Sequence, residues 1–251
     1  MEPDQLLKNM ENIVRECGKI ILHADRSQNQ TDAKPGHANF VTAYDKKIQQ
    51  LLQTRLLQLL PGASFVGEEE DTHASIDTGY AFIVDPIDGT TNFIKDCRMS
   101  AVSVALTLDG ERYMGVVHNP YLDEMFTAIK GQGAFLNGAP IHVSSQPLKN
   151  GIVLFGTAPY NEELAKKSFE MAYGYFKRAM DIRRSGSAAL DLCSVAAGRA
   201  ELFFELYLSP WDYAAGSLIL EEAGGTAVTI EGGPLTLREG CSVLAGNGVE
   251  S

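Results

Sequence analysis

Apolar residues at Leu6, Leu7, Met10, Ile13, Val14, Cys17, Ile20 and Ile21 recur at the spacing of one helical face, so the chain opens on an amphipathic helix. Residues 25–40 are polar and read as a loop. Residues 43–60 resume the helical period through Ile48, Leu51, Leu52, Leu56, Leu59 and Leu60, until Pro61-Gly62 stops it. From residue 81 to 143 the period falls to about two. The runs Ala101-Val102-Ser103-Val104-Ala105-Leu106, Tyr113-Met114-Gly115-Val116-Val117 and Met125-Phe126-Thr127-Ala128-Ile129 are separated by turns at Asp109-Gly110 and Asn119-Pro120. This is the pattern of an antiparallel meander. Gly131-Gln132-Gly133 and Asn137-Gly138 extend it as hairpin turns, and no helical pattern follows them to make a nucleotide loop.

Beyond Ile152-Val153-Leu154-Phe155 strands and helices alternate. Asn161 followed by Glu162 and Glu163 reads as a capped helix start, and residues 187–197 as a small-residue helix. Leu202-Phe203-Phe204-Glu205 is a strand, residues 212–223 a helix stopped by Gly224-Gly225, and residues 226–230 and 242–245 closing strands.

At 251 residues and 45% hydrophobic composition the chain can bury a large core. No apolar run reaches transmembrane length and the start is acidic, so the expectation is a soluble, untargeted, cytoplasmic protein with no membrane partner. Cys17, Cys97, Cys193 and Cys241 are scattered and include no Cys-x-x-Cys pair, and the histidines show no i, i+4 pair, which argues against a disulfide scaffold or zinc centre. The net charge of -11 argues against a general nucleic-acid binder.

Candidate chemistry lies where acids follow apolar runs. Asp85-Pro86-Ile87-Asp88-Gly89-Thr90-Thr91 follows Ala81-Phe82-Ile83-Val84, so two carboxylates stand where a buried strand is expected to stop. Gly89 permits a turn, and Thr90 and Thr91 open a short helix whose N–H groups suit an anion. Glu68, Glu69 and Glu70 follow Ser64-Phe65-Val66-Gly67, and Asp212 follows Trp211. Each feature has a plain alternative: a surface turn, a solvated charge run, a helix N-cap. All three stand at element ends and all three offer oxygen.

The ordered set Asp45, Gly67-Glu68-Glu69, Asp85-Pro86-Ile87-Asp88-Gly89-Thr90 and Trp211-Asp212-Tyr213-Ala214-Ala215-Gly216 resembles the inositol monophosphatase family of metal-dependent, typically lithium-sensitive phosphatases. Gly131-Gln132-Gly133-Ala134-Phe135-Leu136-Asn137-Gly138 and Ser185-Gly186-Ser187-Ala188-Ala189 extend the resemblance over nearly the whole chain. It implies an α+β or α/β fold, a layered αβαβα sandwich like that of fructose 1,6-bisphosphatase. It implies one phosphatase domain over residues 1–251, with helices and an antiparallel sheet in residues 1–148 and an α/β part in residues 149–251, and a homodimer.

The resemblance further implies two to three magnesium ions, with manganese able to substitute. Glu68, Asp85, the Ile87 carbonyl and Thr90 would surround the first, Asp85, Asp88 and Asp212 the second, and a weaker third would lie beside Glu68. Asp45 would bond the Thr90 hydroxyl, which orients an attacking water, and Asp45, Glu68 and Thr90 are the catalytic set. Gly89, Thr90 and Thr91 would hold phosphate, while Asp88, Gly186, Ser187, Ala188, Glu205 and Asp212 would contact a small phosphorylated polyol or sugar. The implied reaction is in-line hydrolysis of myo-inositol 1-phosphate. Fructose 1,6-bisphosphate or a nucleoside 3',5'-bisphosphate would suit the same metal core, and a non-catalytic interaction protein is the reading of a different class.

Elementary chemistry agrees with a cation. Carboxylates converging at about 5 Å repel by about 3 kcal/mol per pair at an effective dielectric near 20, and all-oxygen ligands favour magnesium, manganese or calcium over zinc. Asp96-Cys97-Arg98-Met99-Ser100 departs from the family's usual Gly and Pro before the next strand, which puts loop shape, subunit contact and substrate size in question. Lys34-Pro35-Gly36 reads as a surface loop or a segment able to close over the metals.

Overall fold

The computed structural model describes residues 1–25, 31–33, 40–70 and 74–249. The Lys34-Pro35-Gly36 loop lies outside them. The first helix, α1 (Pro3–Leu22), starts with proline in its first turn and buries Leu6, Met10, Ile13, Val14, Cys17 and Ile21, the stripe its period predicts. The stretch expected to be loop carries a short antiparallel ribbon instead, β1 (Thr31–Ala33) paired with β2 (Phe40–Thr42). Three-residue strands are too brief to show a period of two.

Helix α2 (Ala43–Leu59) opens on a capping box in which Thr42 and Asp45 bond reciprocally. There follow β3 (Ser64–Gly67), β4 (Tyr80–Asp88), the short α3 (Thr90–Ile94), β5 (Ala101–Leu108), β6 (Glu111–Asn119), β7 (Glu124–Ile129), β8 (Ala134–Leu136) and β9 (Ala139–Ile141). These strands form a seven-stranded sheet in chain order, antiparallel except for the β3–β4 pair. Gly131, Gly133 and Gly138 adopt positive φ in its last turns, as hairpin glycines should.

After a 3-10 turn at Leu148–Asn150 the second sheet begins with β10 (Ile152–Phe155). It continues through α4 (Glu162–Phe176), β11 (Asp181–Arg183), α5 (Ala188–Ala196), β12 (Leu202–Leu208), α6 (Pro210–Glu222), β13 (Thr226–Val228) and β14 (Cys241–Gly246). The strand order is β11-β10-β12-β14-β13, with β10 parallel to both neighbours and β14 antiparallel to both of its own. Asn161 caps α4 by accepting from Leu164 N–H, as expected, whereas α6 begins at Pro210, two residues earlier than Asp212.

Three cores separate five layers. Helices α1 and α2 cover one face of the large sheet through Met10, Ile48, Leu52, Phe82, Val104 and Val116. Helices α5 and α6 fill the space between the sheets, meeting Ile83, Ala105 and Val117 on one side and Phe203, Val243 and Ala245 on the other. Helix α4 covers the outer face of the second sheet over Val153, Phe155 and Phe204. The result is the αβαβα sandwich that the resemblance implies. The middle layer explains the small residues in α5 and α6: a Cβ on Gly115 of β6 would stand 2.8 Å from the Ala215 carbonyl, and one on Gly216 would stand 2.9 Å from Leu192. At such approach any larger side chain would force the layers apart.

Candidate active site and metal centre

Strand β4 does not stop at Val84 as its apolar run suggests, but runs on to Asp88 with a register shift between the Asp85–Ser103 and Asp88–Ala101 pairs. Pro86 has no N–H to give the ladder, so a break there is expected. The break matters, because residues three apart face opposite sides of a regular strand. Here one oxygen each from Asp85, Asp88 and Asp212 lies within 4.8 Å of the others. Asp212 arrives from the first turn of α6, in the middle layer.

Each carboxylate has one oxygen engaged by a backbone N–H. Asp85 Oδ1 accepts from Ile87 N–H at 2.9 Å, Asp88 Oδ2 from Ala189 N–H at 2.8 Å and Asp212 Oδ2 from Ser209 N–H at 2.7 Å. Asp45 Oδ2 accepts from Thr42 N–H at 2.8 Å, and Glu205 Oε1 from Ala158 N–H at 3.0 Å. Turn, cap and ligand thus prove compatible readings: the local motif holds one oxygen and leaves the other for a neighbour.

Thr90 Oγ1 lies 3.2 Å from Asp45 Oδ1 and 3.1 Å from the Ile87 carbonyl, with one proton to give to either acceptor. Gly89 has φ of 88°, and a Cβ there would stand 3.0 Å from the carbonyls of Gly186 and Met99, so the turn requires glycine. Asn92 Nδ2 ties this corner together by donating to Met99 O and Ser185 O. The unusual segment from Asp96 is shaped by positive φ at Asp96 and Arg98 and ends on fully buried Ser100.

Burial raises the pKa of Asp85 well above the carboxylate range, and Glu68, Asp88 and Asp212 push it further. Asp212 is raised in the same way, by burial first and then by Asp88 and Glu68. Asp88 rises only to about 6, because bonds from Ser187 and from backbone N–H groups offset its burial. Glu205 is pushed up to about 7 by burial, and Asp45 is raised by burial against its bonds from Thr42. Hard oxygen donors, buried together and each short of compensating positive charge, fit a divalent cation of the magnesium, manganese or calcium type.

A cavity of about 760 Å³ opens over the cluster. Its wall includes Glu68, Asp85, Ile87, Asp88, Gly89, Thr90 and Thr91, and across from them Gly186, Ser187, Ala188, Glu205 and Asp212. Of the expected site residues only Asp45 stands behind the wall, fully buried and reached through Thr90. Glu68 lies beside the three-aspartate cluster rather than within it. The Ser187 hydroxyl donates to Asp88 Oδ2 at 2.5 Å and also caps α5. A Cβ on Gly156 would strike the Glu205 carboxylate, so residues 156–158 wrap that side chain closely.

Sequence reasoning passed over Asp191, Arg184 and Tyr207, all of which line the cavity. Asp191 is buried and raised well above its usual pKa by that burial. Its signal was present: a lone acid in the otherwise apolar helix AALDLCSVA.

Comparison with known proteins agrees with this geometry. The model of the inositol monophosphatase family matches residues 2–251. Nus factor SuhB of Salmonella typhimurium is 37% identical over 235 residues, which cover 93% of this chain and 88% of that one. Inositol-1-monophosphatase of Bacillus subtilis is 35% identical over 248 residues, covering 98% and 92%. Among solved structures, extragenic suppressor protein suhB from Bartonella henselae superposes with a TM-score of 0.90 at 35% identity, over 97% of this chain and 94% of that one. The chain belongs to the inositol monophosphatase family.

Proposed function

We propose that this chain hydrolyses a small phosphate monoester, myo-inositol 1-phosphate foremost, to the free alcohol and inorganic phosphate, using magnesium held at the acidic cluster. The observation that carries the reading is the convergence of Asp85, Asp88 and Asp212 within 4.8 Å under the cavity. Glu68, Asp85 and the Ile87 carbonyl would hold one ion and Asp85, Asp88 and Asp212 a second, with a third beside Glu68 and manganese an effective substitute. Bound there, the cations supply positive charge against the phosphoryl oxygens and acidify water.

The chain supplies orientation and proton traffic. Thr90 donates its proton to Asp45 Oδ1, which leaves the hydroxyl lone pairs to accept from the attacking water. Glu68, on the cavity wall, takes up that water's proton, and Asp45 assists from behind by accepting from Thr90. Backbone N–H groups of Gly89, Thr90 and Thr91, at the start of α3, hold the phosphoryl oxygens. Glu205, with Gly186, Ser187 and Ala188, receives the hydroxyls of the alcohol, and Asp212 stands beside the departing oxygen. As the water oxygen bonds to phosphorus, the ester P–O bond breaks and the alkoxide takes a proton from solvent. The barrier must fall by more than about 20 kcal/mol, which needs these contributions jointly.

Fructose 1,6-bisphosphate and nucleoside 3',5'-bisphosphates are alternative substrates for the same core. A second reading, an interaction protein acting on a macromolecular partner, is favoured by the Nus factor name of some relatives. It requires none of the acids to converge. The chain is expected to act as a cytoplasmic homodimer, checked by light scattering. The deciding experiment is phosphate release from a panel of these substrates with magnesium, with and without lithium. Magnesium-dependent, lithium-inhibited release supports the hydrolase, and no release from any substrate gives precedence to the interaction reading.

A further inference from the structure

Glu68 stands beside the three clustered aspartates, on a turn that follows the end of β3 rather than within a strand. The backbone of that turn has to be held if the carboxylate is to face a cation from a fixed point. Its successive amides are each engaged. Glu68 N–H donates to Val84 O at 3.2 Å, which fastens the turn to the residue before Asp85, and Glu70 N–H donates to Gly67 O at 3.3 Å, which closes it. The paired register of β3 and β4 has by then ended, at Gly67 and Val84. The Glu69 N–H is met by a side chain from another element, Gln49 Oε1 of α2, at 2.9 Å.

Gln49 is buried, and only the oxygen of its amide can accept, so this bond fixes which way the amide faces. It lies four residues beyond Asp45 and four before Gln53, a spacing that puts all three on one helical face. Asp45 accepts from Thr90 Oγ1, and Gln53 Nε2 donates to Glu70 Oε1 at 2.9 Å. One line of α2 therefore reaches both sides of the metal centre, the Thr90 corner through Asp45 and the Glu68 turn through Gln49 and Gln53. The contact with the turn is close. A Cβ on Gly67 would stand 2.6 Å from Gln49 Cδ and Oε1, and Gly67 has no positive φ, so the glycine is needed there for the space it leaves the amide.

We propose that Gln49 is a positioning residue for the metal centre: by accepting from the Glu69 N–H it fixes the turn that aims the Glu68 carboxylate at a cation beside the aspartate cluster. Gln49 stands outside the cavity wall and acts through Glu69 and Glu68. The role rests on the phosphatase reading above and concerns the chain's grip on magnesium rather than its choice of substrate.

The test reads magnesium affinity by calorimetric titration and by the rise in melting temperature from chelator to magnesium, beside the magnesium dependence of phosphate release from myo-inositol 1-phosphate. Gln49→Met keeps the length of the side chain and removes the acceptor, whereas Gln49→Glu keeps the acceptor. Gln49→Met should bind magnesium about tenfold more weakly and need about tenfold more for half-maximal turnover, with kcat at saturating magnesium retained. Gln49→Glu should bind as tightly as wild type. Gly67→Ala breaks the same bond from the other side, and in a Gln49→Ala background its added methyl meets no amide. Each single change should weaken magnesium binding, and the pair should do no worse than Gln49→Ala alone. If Gln49→Met does not fold, this comparison decides. A merely structural Gln49 would lower the melting temperature in chelator and leave magnesium affinity unchanged in Gln49→Met; that result, or equal weakening in Gln49→Glu, overturns the role. If wild type binds magnesium but releases no phosphate, the hydrolase reading fails, and weaker binding by Gln49→Met still upholds the role. If wild type binds no magnesium, both fall.

Discussion

The Ser187 hydroxyl donates to Asp88 Oδ2 at 2.5 Å, joining the N-terminus of α5 to the end of β4 across 99 positions of sequence. The same hydroxyl accepts from Leu190 N–H, so one side chain both caps a helix and fixes an acid of the cluster. Asp88 is consequently the least perturbed of the three clustered aspartates.

Replacing Ser187 by alanine removes a cap and a donor to a buried carboxylate. The expected loss is about 1–3 kcal/mol of unfolding free energy in urea. An unchanged denaturation midpoint would show that the bond contributes nothing to stability.

Carboxylates that repel one another without a cation should make the metal-free protein less stable than its packing permits. Asp212→Asn keeps an oxygen able to accept from Ser209 N–H but removes a charge from beside Asp85 and Asp88. In chelator the variant should melt several degrees above wild type, and magnesium should stabilise it less. Equal melting temperatures in chelator would count against strain in the cluster.

On β6, His118 is 3% exposed and, among the described residues, its ring nitrogens have no hydrogen-bond partner of good geometry. Burial, with Arg15 adding to it, lowers its pKa from 6.5 to about 4 despite Asp123 nearby. The folded state therefore binds this proton less tightly than the unfolded state, so the contribution to stability is full above pH 6.5 and is lost as pH falls towards 4. Its size is about 3 kcal/mol. The raised pKa values of the metal-free acids act in the opposite sense, so the quantity to read is the difference between wild type and His118→Gln in urea titrations from pH 7 to pH 4. That difference should shift by this amount in favour of the variant on acidification. A constant difference would mean that His118 titrates normally.

Much of the fold could be read from periodicity, because α1 and α2 each bury one stripe and the meander strands alternate between two cores. The elements that escaped were β1, β2 and β11, three residues each, whose pairing depends on distant partners rather than a local pattern. The apolar run of β4 ends at Val84, and only the β5 partner reveals that pairing resumes at Asp88. For the acids, local rules offered the cap and turn readings equally well. Asp212 completes a capping box and Asp85 an Asx turn, and their joint role appears only when α6 is laid against the sheet. Asp191 and Tyr207 were missed because a single acid in a helix and a tyrosine in a strand carry no motif.

The claim that the aspartate cluster holds the cation for phosphate monoester hydrolysis is tested most directly by phosphate release from myo-inositol 1-phosphate in wild type and Asp85→Asn, each with magnesium and with chelator. Asparagine can still accept from Ile87 N–H, so the turn should persist, as circular dichroism will check. The account predicts release by wild type only with magnesium, and a loss of at least about a hundredfold in the variant. Turnover that survives chelation, or an Asp85→Asn protein as active as wild type, would contradict it.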